Sequence, residues 1–226
     1  MDDERWTMND ERWTMNWEAE TERRVKIATD NFRAGYNCSQ SVAMAFADLY
    51  GIPLPLMAHL SASYGGGIGR MRETCGSALG IFMLAGLEVT NINDEPQTLS
   101  PTLPHNGEGD QPDGSPHRGG DVRRTEGVYG SVHYPNQELK KKNYEVVQRL
   151  AADFRTQTGS IICKELLGLN KQRADGTIPE IQIVATPDPR TDEYYRKRPC
   201  IRMVETATRI YMNYLKEKYS ASKGEK

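Results

Sequence analysis

The sequence lacks a long hydrophobic run, an excess of one charge and any cysteine pair of the Cys-x-x-Cys type. Its longest apolar stretch, from Leu79 to Leu87, is less than half of the ~20 residues that a membrane-spanning helix needs. The first residues, MDDERW, are acidic, whereas a secretory signal begins with basic and then apolar residues. The 29 basic and 31 acidic residues nearly balance, which excludes the basic footprint of a nucleic-acid binder. We therefore expect a soluble, cytoplasmic protein with neither a nucleic-acid partner nor a membrane partner.

Apolar residues are also scarce, at 37% of the chain, and the scarcity is greatest in residues 91–136. That stretch is rich in Pro, Gly, Asp, Asn and Ser, so it cannot bury enough apolar surface to offset the entropy lost on ordering. We predict a single domain over residues 21–219 that is interrupted by a flexible insertion at 91–136. Residues 1–20 are predicted to be a mobile N-terminal tail, and residues 220–226 a polar tail.

The N-terminal tail contains a perfect duplication of DERWTMN, at Asp3–Asn9 and Asp10–Asn16. Two copies of seven residues are too short for a repeat architecture, so a duplication within a mobile tail is one interpretation. The alternative is a heptad-like helix that uses Trp6 and Trp13 to bind a partner.

The rest of the chain shows helical periodicity. The patterns and caps predict helices that begin at or near Trp17, Asn37, Leu56, Glu73, Gln137, Ser160 and Pro199. The helix over 73–89 is apolar on nearly every side and should be central. Residues 180–185 favour a short strand. The fold class is predicted as all-α, a compact bundle of about six to seven helices.

The four cysteines of the chain all fall in the first turn of a predicted helix: Cys38, Cys75, Cys163 and Cys200. Helix N-termini present unpaired N–H groups and positive dipole ends, which favour thiolate and lower the thiol pKa. Thiolates attack disulfides and ligate metals, and a reducing compartment disfavours structural disulfides. The plain alternative is four buried cysteines that pack as small hydrophobic side chains. Arg70 and Arg72 flank Cys75, either to stabilise its thiolate or as a solvated pair.

A glycine cluster, Gly65, Gly66, Gly67 and Gly69, precedes Cys75. Neither a P-loop nor a complete dinucleotide-binding fingerprint is present, and no strand precedes the cluster. We interpret it as a backbone turn that delivers Cys75 and allows close approach to a bound group. Gly76 and Gly80, one helical turn apart, similarly allow another backbone to come close. The predicted cofactor-binding backbone therefore consists of Gly65, Gly66, Gly67 and Gly76.

The segments around the cysteines resemble the C-GCAxxG-C-C family of redox-active proteins. The similarity rests on Ala62–Arg70 followed by Glu73–Gly80, and on the cysteine segments at 37–42, 160–168 and 199–207, with all four cysteines in register. Ser77 stands where the family signature usually has Ala. The resemblance implies a small helical protein with four redox or cluster-binding cysteines. A further similarity, to the non-haem part of split-Soret cytochromes, implies a two-iron, two-sulfur cluster.

Three functions follow as hypotheses. The preferred one is electron transfer or redox sensing through an iron–sulfur cluster, 2Fe–2S favoured, with Cys38, Cys75, Cys163 and Cys200 as ligands. The second is a metal-free thiol/disulfide oxidoreductase that uses the same cysteines in pairs, and the third is a binding module with a structural zinc site. The partner would be a redox protein or a small-molecule oxidant, and a homodimer is compatible with such a helical core.

Overall fold

The computed structural model of the chain describes residues 16–90 and 137–221, without the side chains of Thr90 and Ala221. The duplicated heptapeptides up to residue 15, the insertion at 91–136 and the last five residues lie outside the described residues, so the predictions made for them stay predictions. At the two boundaries the structure differs from the predicted division. Helix begins at Trp17, inside the predicted N-terminal tail, and the last helix extends to Ala221.

The described residues form eight α-helices and no β-strand, which confirms the all-α class. The helices are α1 (Trp17–Arg33), α2 (Cys38–Met44), α3 (Leu54–Ser61), α4 (Gly76–Thr90), α5 (Gln137–Thr158), α6 (Cys163–Leu166), α7 (Asp192–Lys197) and α8 (Cys200–Ala221). Short 3-10 turns follow α2 at Ala47–Tyr50 and α3 at Ala62–Tyr64. None of the described helices is long and apolar enough to cross a membrane.

Two element predictions differ from the structure. The strand predicted at 180–185 is wrong: the segment is irregular and mostly exposed, and the described part of the chain contains no strand that could offer it a ladder of hydrogen bonds. The helix α7 was not predicted, although Thr191 caps it by accepting a hydrogen bond from Tyr194 N at 3.2 Å. With α7 included, the described residues form eight helices, whereas the sequence predicted six to seven.

The core is formed where α2, α4 and α8 pack against one another, with α1 and α5 on the outside. Burial of apolar side chains from these helices drives the association, and the aromatic rings of Phe46 and Tyr211 meet edge to face at 5.0 Å. The predicted close approach at Gly80 is confirmed, because a Cβ there would lie 3.0 Å from Val42 Cβ and 3.1 Å from Ser39 O. The predicted central helix, α4, is buried over most of its length.

A buried polar network closes the bundle at the C-terminal end of α4. The Glu88 carboxylate accepts a hydrogen bond from Tyr50 Oη at 2.9 Å and pairs with Lys218. The Tyr211 hydroxyl contacts that of Tyr50 and donates to Leu84 O at 3.0 Å. Burial raises the pKa of both tyrosines well above their ordinary range, so the network holds neutral hydroxyls beside a paired carboxylate.

An ion pair between a buried arginine and a half-exposed aspartate connects α1 to the turn after α2. The Arg24 side chain is fully buried, and its Nη2 lies 2.9 Å from Asp48 Oδ2. Glu20 Oε1 lies 2.6 Å from Arg24 Nε and completes the pairing of the guanidinium. Because a buried charge needs its partners, this cluster fixes how α1 lies against α2.

Candidate functional site

All four cysteines are at helix starts in the structure, as predicted. Cys38, Cys163 and Cys200 are the first residues of α2, α6 and α8, and Cys75 directly precedes α4. Helices α2, α4 and α8 form the core. Their packing therefore brings together the N-terminal ends of three helices that are far apart in the sequence.

The four cysteines line a single cavity of about 320 Å³, which we call the thiol cavity. Cys75 and Cys163 are buried in its wall, whereas Cys38 and Cys200 are partly exposed. All four are free thiols. Side chains that are far apart in the chain therefore line one cavity.

The local sequence positions Cys38 through a complete capping box. The Asn37 side chain accepts hydrogen bonds from the backbone N–H groups of Ser39 and Gln40, both at 3.0 Å, and the Gln40 side chain accepts from Asn37 N at 3.0 Å. The Asn37 amide also donates to Ala62 O at 2.8 Å, which ties the start of α2 to the glycine turn. The predicted Asn37 cap is thus confirmed.

Backbone hydrogen bonds join the segments that carry Cys75 and Cys163. Cys75 N donates to Ile161 O at 2.7 Å and Cys163 N donates to Glu73 O at 2.6 Å, on either side of an isolated antiparallel bridge. The predicted Ser160 cap of α6 is wrong, since this bridge ends one residue before the helix and makes Ile162 the cap. The Ser160 hydroxyl instead accepts from Ile162 N at 2.9 Å and stabilises the turn into the bridge.

The predicted glycine positions lie beside the cysteines. Gly65 and Gly66 line the thiol cavity. Gly67 has a φ of 75°, and a Cβ on it would lie 2.6 Å from Cys163 Cβ. A Cβ on Gly76 would collide with Cys38 Sγ and lie 2.8 Å from Tyr64 O. These two glycines therefore let backbone and thiols approach more closely than any other residue would allow.

The predicted lowering of the thiol pKa by helix starts is wrong for Cys75. Burial raises the pKa of this thiol far above its ordinary value, and a negative charge on Cys38 raises it further. The backbone N–H groups of Ser77 and Ala78, in the first turn of α4, hydrogen-bond the sulfur and act in the opposite direction. The helix-start effect is present, but loss of solvent outweighs it.

The same correction applies to the two cysteines from the second half of the chain. Burial, and then the neighbouring Cys38, raise the pKa of Cys163 above its ordinary value and that of Cys200 to about 12. The positive charges of Arg72 and Arg198 oppose the shift at Cys163. Thiolate formation in the cavity thus depends on compensating positive charge.

Four guanidinium groups and one carboxylate line the thiol cavity: Arg70, Arg72, Arg190, Arg198 and Asp188. The sequence indicated Arg70 and Arg72 as neighbours of Cys75, but the structure directs the hydrogen bond of Arg72 to Cys163. Arg190 and Arg198 were not predicted, because no motif or spacing in the sequence connects the loop before α8 to the cysteines.

A segment at residues 184–190 lies across the edge of the cavity. Asp188 forms ion pairs with Arg198 at 2.9 Å and with Arg70 at 3.3 Å, and Arg70 Nε donates to Val184 O at 2.8 Å. Burial raises the pKa of Asp188, but these arginines outweigh it and leave that pKa below its ordinary value. The segment, which we call the strap, is therefore held to the bundle at Asp188 by charge and at Arg190 by contacts with α1 and α7.

The four thiols of the cavity are the donor type that zinc sites and iron–sulfur clusters use. A tetrahedral zinc site needs sulfurs at about 2.3 Å from one ion, whereas a two-iron cluster divides its ligands between two metals and spreads them further. Within residues 16–90 and 137–221, no three Cys, His, Asp or Glu side chains are arranged around a single ion position. A fully buried hydroxyl in the cavity wall, Ser77 Oγ, has no hydrogen-bond partner among the described residues, which is consistent with an occupant that accepts from it.

Comparison with known proteins gives one match. The chain matches the family described as "Putative redox-active protein (C_GCAxxG_C_C)" over residues 36–105 and 124–214, which include all four cysteines. No curated protein and no solved structure matches the chain. Since the two matched regions together cover well over half of the sequence, the chain belongs to the C_GCAxxG_C_C family.

Proposed function

We propose that the protein transfers electrons, or senses redox state, through an iron–sulfur cluster held by Cys38, Cys75, Cys163 and Cys200. The observation that supports this function is the meeting of four free thiols, each at a helix start, in one cavity. Such a cluster takes four thiolates and cycles by one electron without breaking a bond to the protein.

The chain contributes charge compensation and exclusion of water. The N–H groups of Ser77 and Ala78 point at the Cys75 sulfur, and Arg72 hydrogen-bonds Cys163. Binding of a cation displaces the thiol protons, so the raised pKa values of the metal-free cavity make metal uptake proton-coupled. Partial exposure of Cys38 and Cys200 leaves the site close to the surface, as exchange of electrons with a partner requires.

The exchange partner in this proposal is a redox protein or a small-molecule oxidant. A reducing compartment, such as the cytoplasm, would keep the four cysteines in the free thiol form that the structure has.

The second candidate, a thiol/disulfide oxidoreductase, is favoured by one specific observation. The segments that carry Cys75 and Cys163 are hydrogen-bonded to each other through Ile161 O and Glu73 O, and both thiols line the same cavity. Oxidation of such a pair forms one S–S bond and passes two electrons and two protons to an oxidant such as a disulfide or peroxide. The high thiol pKa of both residues weighs against this candidate, since the thiolate is the nucleophile.

The deciding experiment is anaerobic purification followed by visible spectroscopy and by analysis of iron, acid-labile sulfide and zinc. We expect a coloured protein with about two iron and two sulfide per chain. Cys38→Ser should lose the colour, whereas the control Ser39→Ala, at a buried neighbour outside the cavity wall, should keep it. A colourless protein with stoichiometric zinc would support the structural zinc alternative, and a metal-free protein with four titratable thiols would support the oxidoreductase.

A further inference from the structure

The thiol cavity carries more positive charge than its protein partners neutralise. Four arginines line it, and Asp188 is the one carboxylate among the lining residues. Arg70 and Arg198 both pair with this carboxylate. A cluster of guanidinium groups in a partly desolvated space is costly unless an anion accompanies it.

Arg190 is one of the two guanidinium groups without a carboxylate. Its Nη1 donates to Phe32 O and its Nη2 to Tyr36 O, both at 3.2 Å, and the guanidinium lies over the rings of Phe32 at 4.3 Å and Tyr194 at 5.0 Å. These partners fix the position of the guanidinium, but they are neutral and leave its charge uncompensated within the described part of the chain.

Arg72 is the other. It is 8% exposed, no carboxylate of residues 16–90 and 137–221 lies within ion-pair distance of it, and its side chain hydrogen-bonds Cys163. Its φ is 64°, a left-handed backbone conformation that is unusual for a residue with a side chain. The chain thus places a cation at the cavity wall although its burial and its left-handed backbone conformation both cost free energy.

Ser77 adds a neutral donor to the same cavity. Its hydroxyl is fully buried and has no partner among the described residues. Ser39 is the matched comparison, since its hydroxyl is equally buried and equally unpartnered but does not line the cavity.

We propose that Arg72, Arg190 and Ser77 form an anion-stabilising wall that binds the thiolate centre of the four cysteines and sets its reduction potential. This inference rests on the proposed function. Four thiolates outweigh the charge of one divalent metal ion or of a ferric two-iron cluster, so the filled cavity holds an anion. Reduction by one electron makes that anion more negative, so the wall stabilises the reduced form more than the oxidised form.

The test compares Arg72→Gln, Arg190→Gln and Ser77→Ala with two controls. The controls are Arg202→Gln, which removes the same charge from an exposed position on α8, and Ser39→Ala. The midpoint potential of the iron-loaded protein is measured by anaerobic redox titration. Each Gln variant should lower the ratio of reduced to oxidised protein at a fixed potential by about tenfold, or about 59 mV for one electron. Ser77→Ala should lower the midpoint potential by a smaller amount, and neither control should change the midpoint potential.

Cobalt(II) binding to the reduced, metal-free protein provides a second measurement, read from thiolate-to-cobalt absorption. Arg72→Gln should weaken Co²⁺ binding, and Arg72→Lys, which keeps the charge, should restore most of the affinity. If the iron-loaded Arg72→Gln and Arg190→Gln variants have the same midpoint potential as Arg202→Gln, the proposed wall is wrong. It is also wrong if Arg72→Lys loses as much Co²⁺ affinity as Arg72→Gln, because Arg72 would then act through packing and not through its charge. A wild-type protein that binds neither iron nor Co²⁺ would instead overturn the proposed function, and the wall with it.

Discussion

At the residue scale, Gly76 is the position with the least room for change. A Cβ there would collide with Cys38 Sγ and lie 2.8 Å from Tyr64 O, a backbone atom that cannot move aside cheaply. We expect Gly76→Ala to lower the free energy of unfolding by about 2 kcal/mol through overpacking. Urea denaturation followed by circular dichroism measures the change.

Gly86, in the same helix, is the control for that substitution. No atom of the described residues lies within 4 Å of a Cβ built on Gly86, so Gly86→Ala should cost less than Gly76→Ala and gain the higher helix propensity of Ala. Equal effects of the two substitutions would contradict the close approach of α4 to Cys38.

The Arg24–Asp48 pair predicts how stability depends on pH. Burial raises the pKa of Asp48, but the hydrogen bond and charge of Arg24 outweigh it, so that pKa is below its ordinary value. A carboxylate of this kind stabilises the fold above its unfolded pKa of about 3.9, and the contribution is lost as the pH falls through the lower folded value. The Asp48 side chain is nearly half exposed, so solvent screens the pair and Asp48→Asn should cost about 1 kcal/mol at pH 7, while Arg24 stays buried with Glu20 as its remaining carboxylate partner.

The measurement is thermal unfolding of both proteins from pH 7 to pH 2. The difference between wild type and Asp48→Asn should be constant near neutrality and shrink below about pH 4. A difference that stays the same down to pH 2 would show that the charge of Asp48 contributes nothing.

At the element scale, the strap at residues 184–190 is held by the ion pairs of Asp188 and by the hydrogen bonds and ring contacts of Arg190. Asp188→Asn removes the charge that pairs with Arg70 and Arg198. Two ion pairs at about 0.5 kcal/mol each correspond to about fivefold easier opening. We therefore expect alkylation of the reduced thiols by iodoacetamide to become about fivefold faster.

Asp175→Asn is the control within the same loop region, since Asp175 accepts a local hydrogen bond from Thr177 N at 2.9 Å and does not contact the cavity. Alkylation rates that do not change in Asp188→Asn would show that the strap does not limit access to the thiols.

The helix starts were the elements most readable from sequence, because caps act over three or four residues. Asn37 predicted the start of α2, and the last helix begins at Cys200, directly after the predicted opener Pro199. Ser160 failed as a cap because a tertiary bridge between Thr74 and Ile162, distant in the chain, sets the start of α6. Long-range pairing of this kind leaves no local signature.

The residues of the site likewise divide into those that local sequence could predict and those that depend on tertiary contacts. The cysteines could be found from their positions, but the positive wall could not. Arg190 is fixed by carbonyl groups at the end of α1 and the turn after it, and by the ring of Phe32, which are tertiary contacts. The thiol pKa values were misjudged for a related reason, since burial is a property of the whole fold and outweighs the local dipole.

At the scale of the whole molecule, the two ends of the bundle have different polar chemistry. The thiol cavity lies at the start of α4, and the Glu88 network lies near the end of the same helix. Tyr211→Phe removes a buried donor to Leu84 O and should lower the free energy of unfolding by about 1 kcal/mol. Urea denaturation measures this, and thiol alkylation in the native protein should be unchanged. Faster alkylation would show that the two ends are coupled.

The length of α4 has a practical consequence for labelling the protein. The helix ends at Thr90, and 14 helical residues at 1.5 Å each put this end about 21 Å from the start at Gly76, beside the sulfurs. A small optical label attached at the C-terminal end of α4 would therefore be fixed to the same rigid helix as the cavity wall. Such a label could report reduction of the protein from that distance without replacing any residue of the cavity.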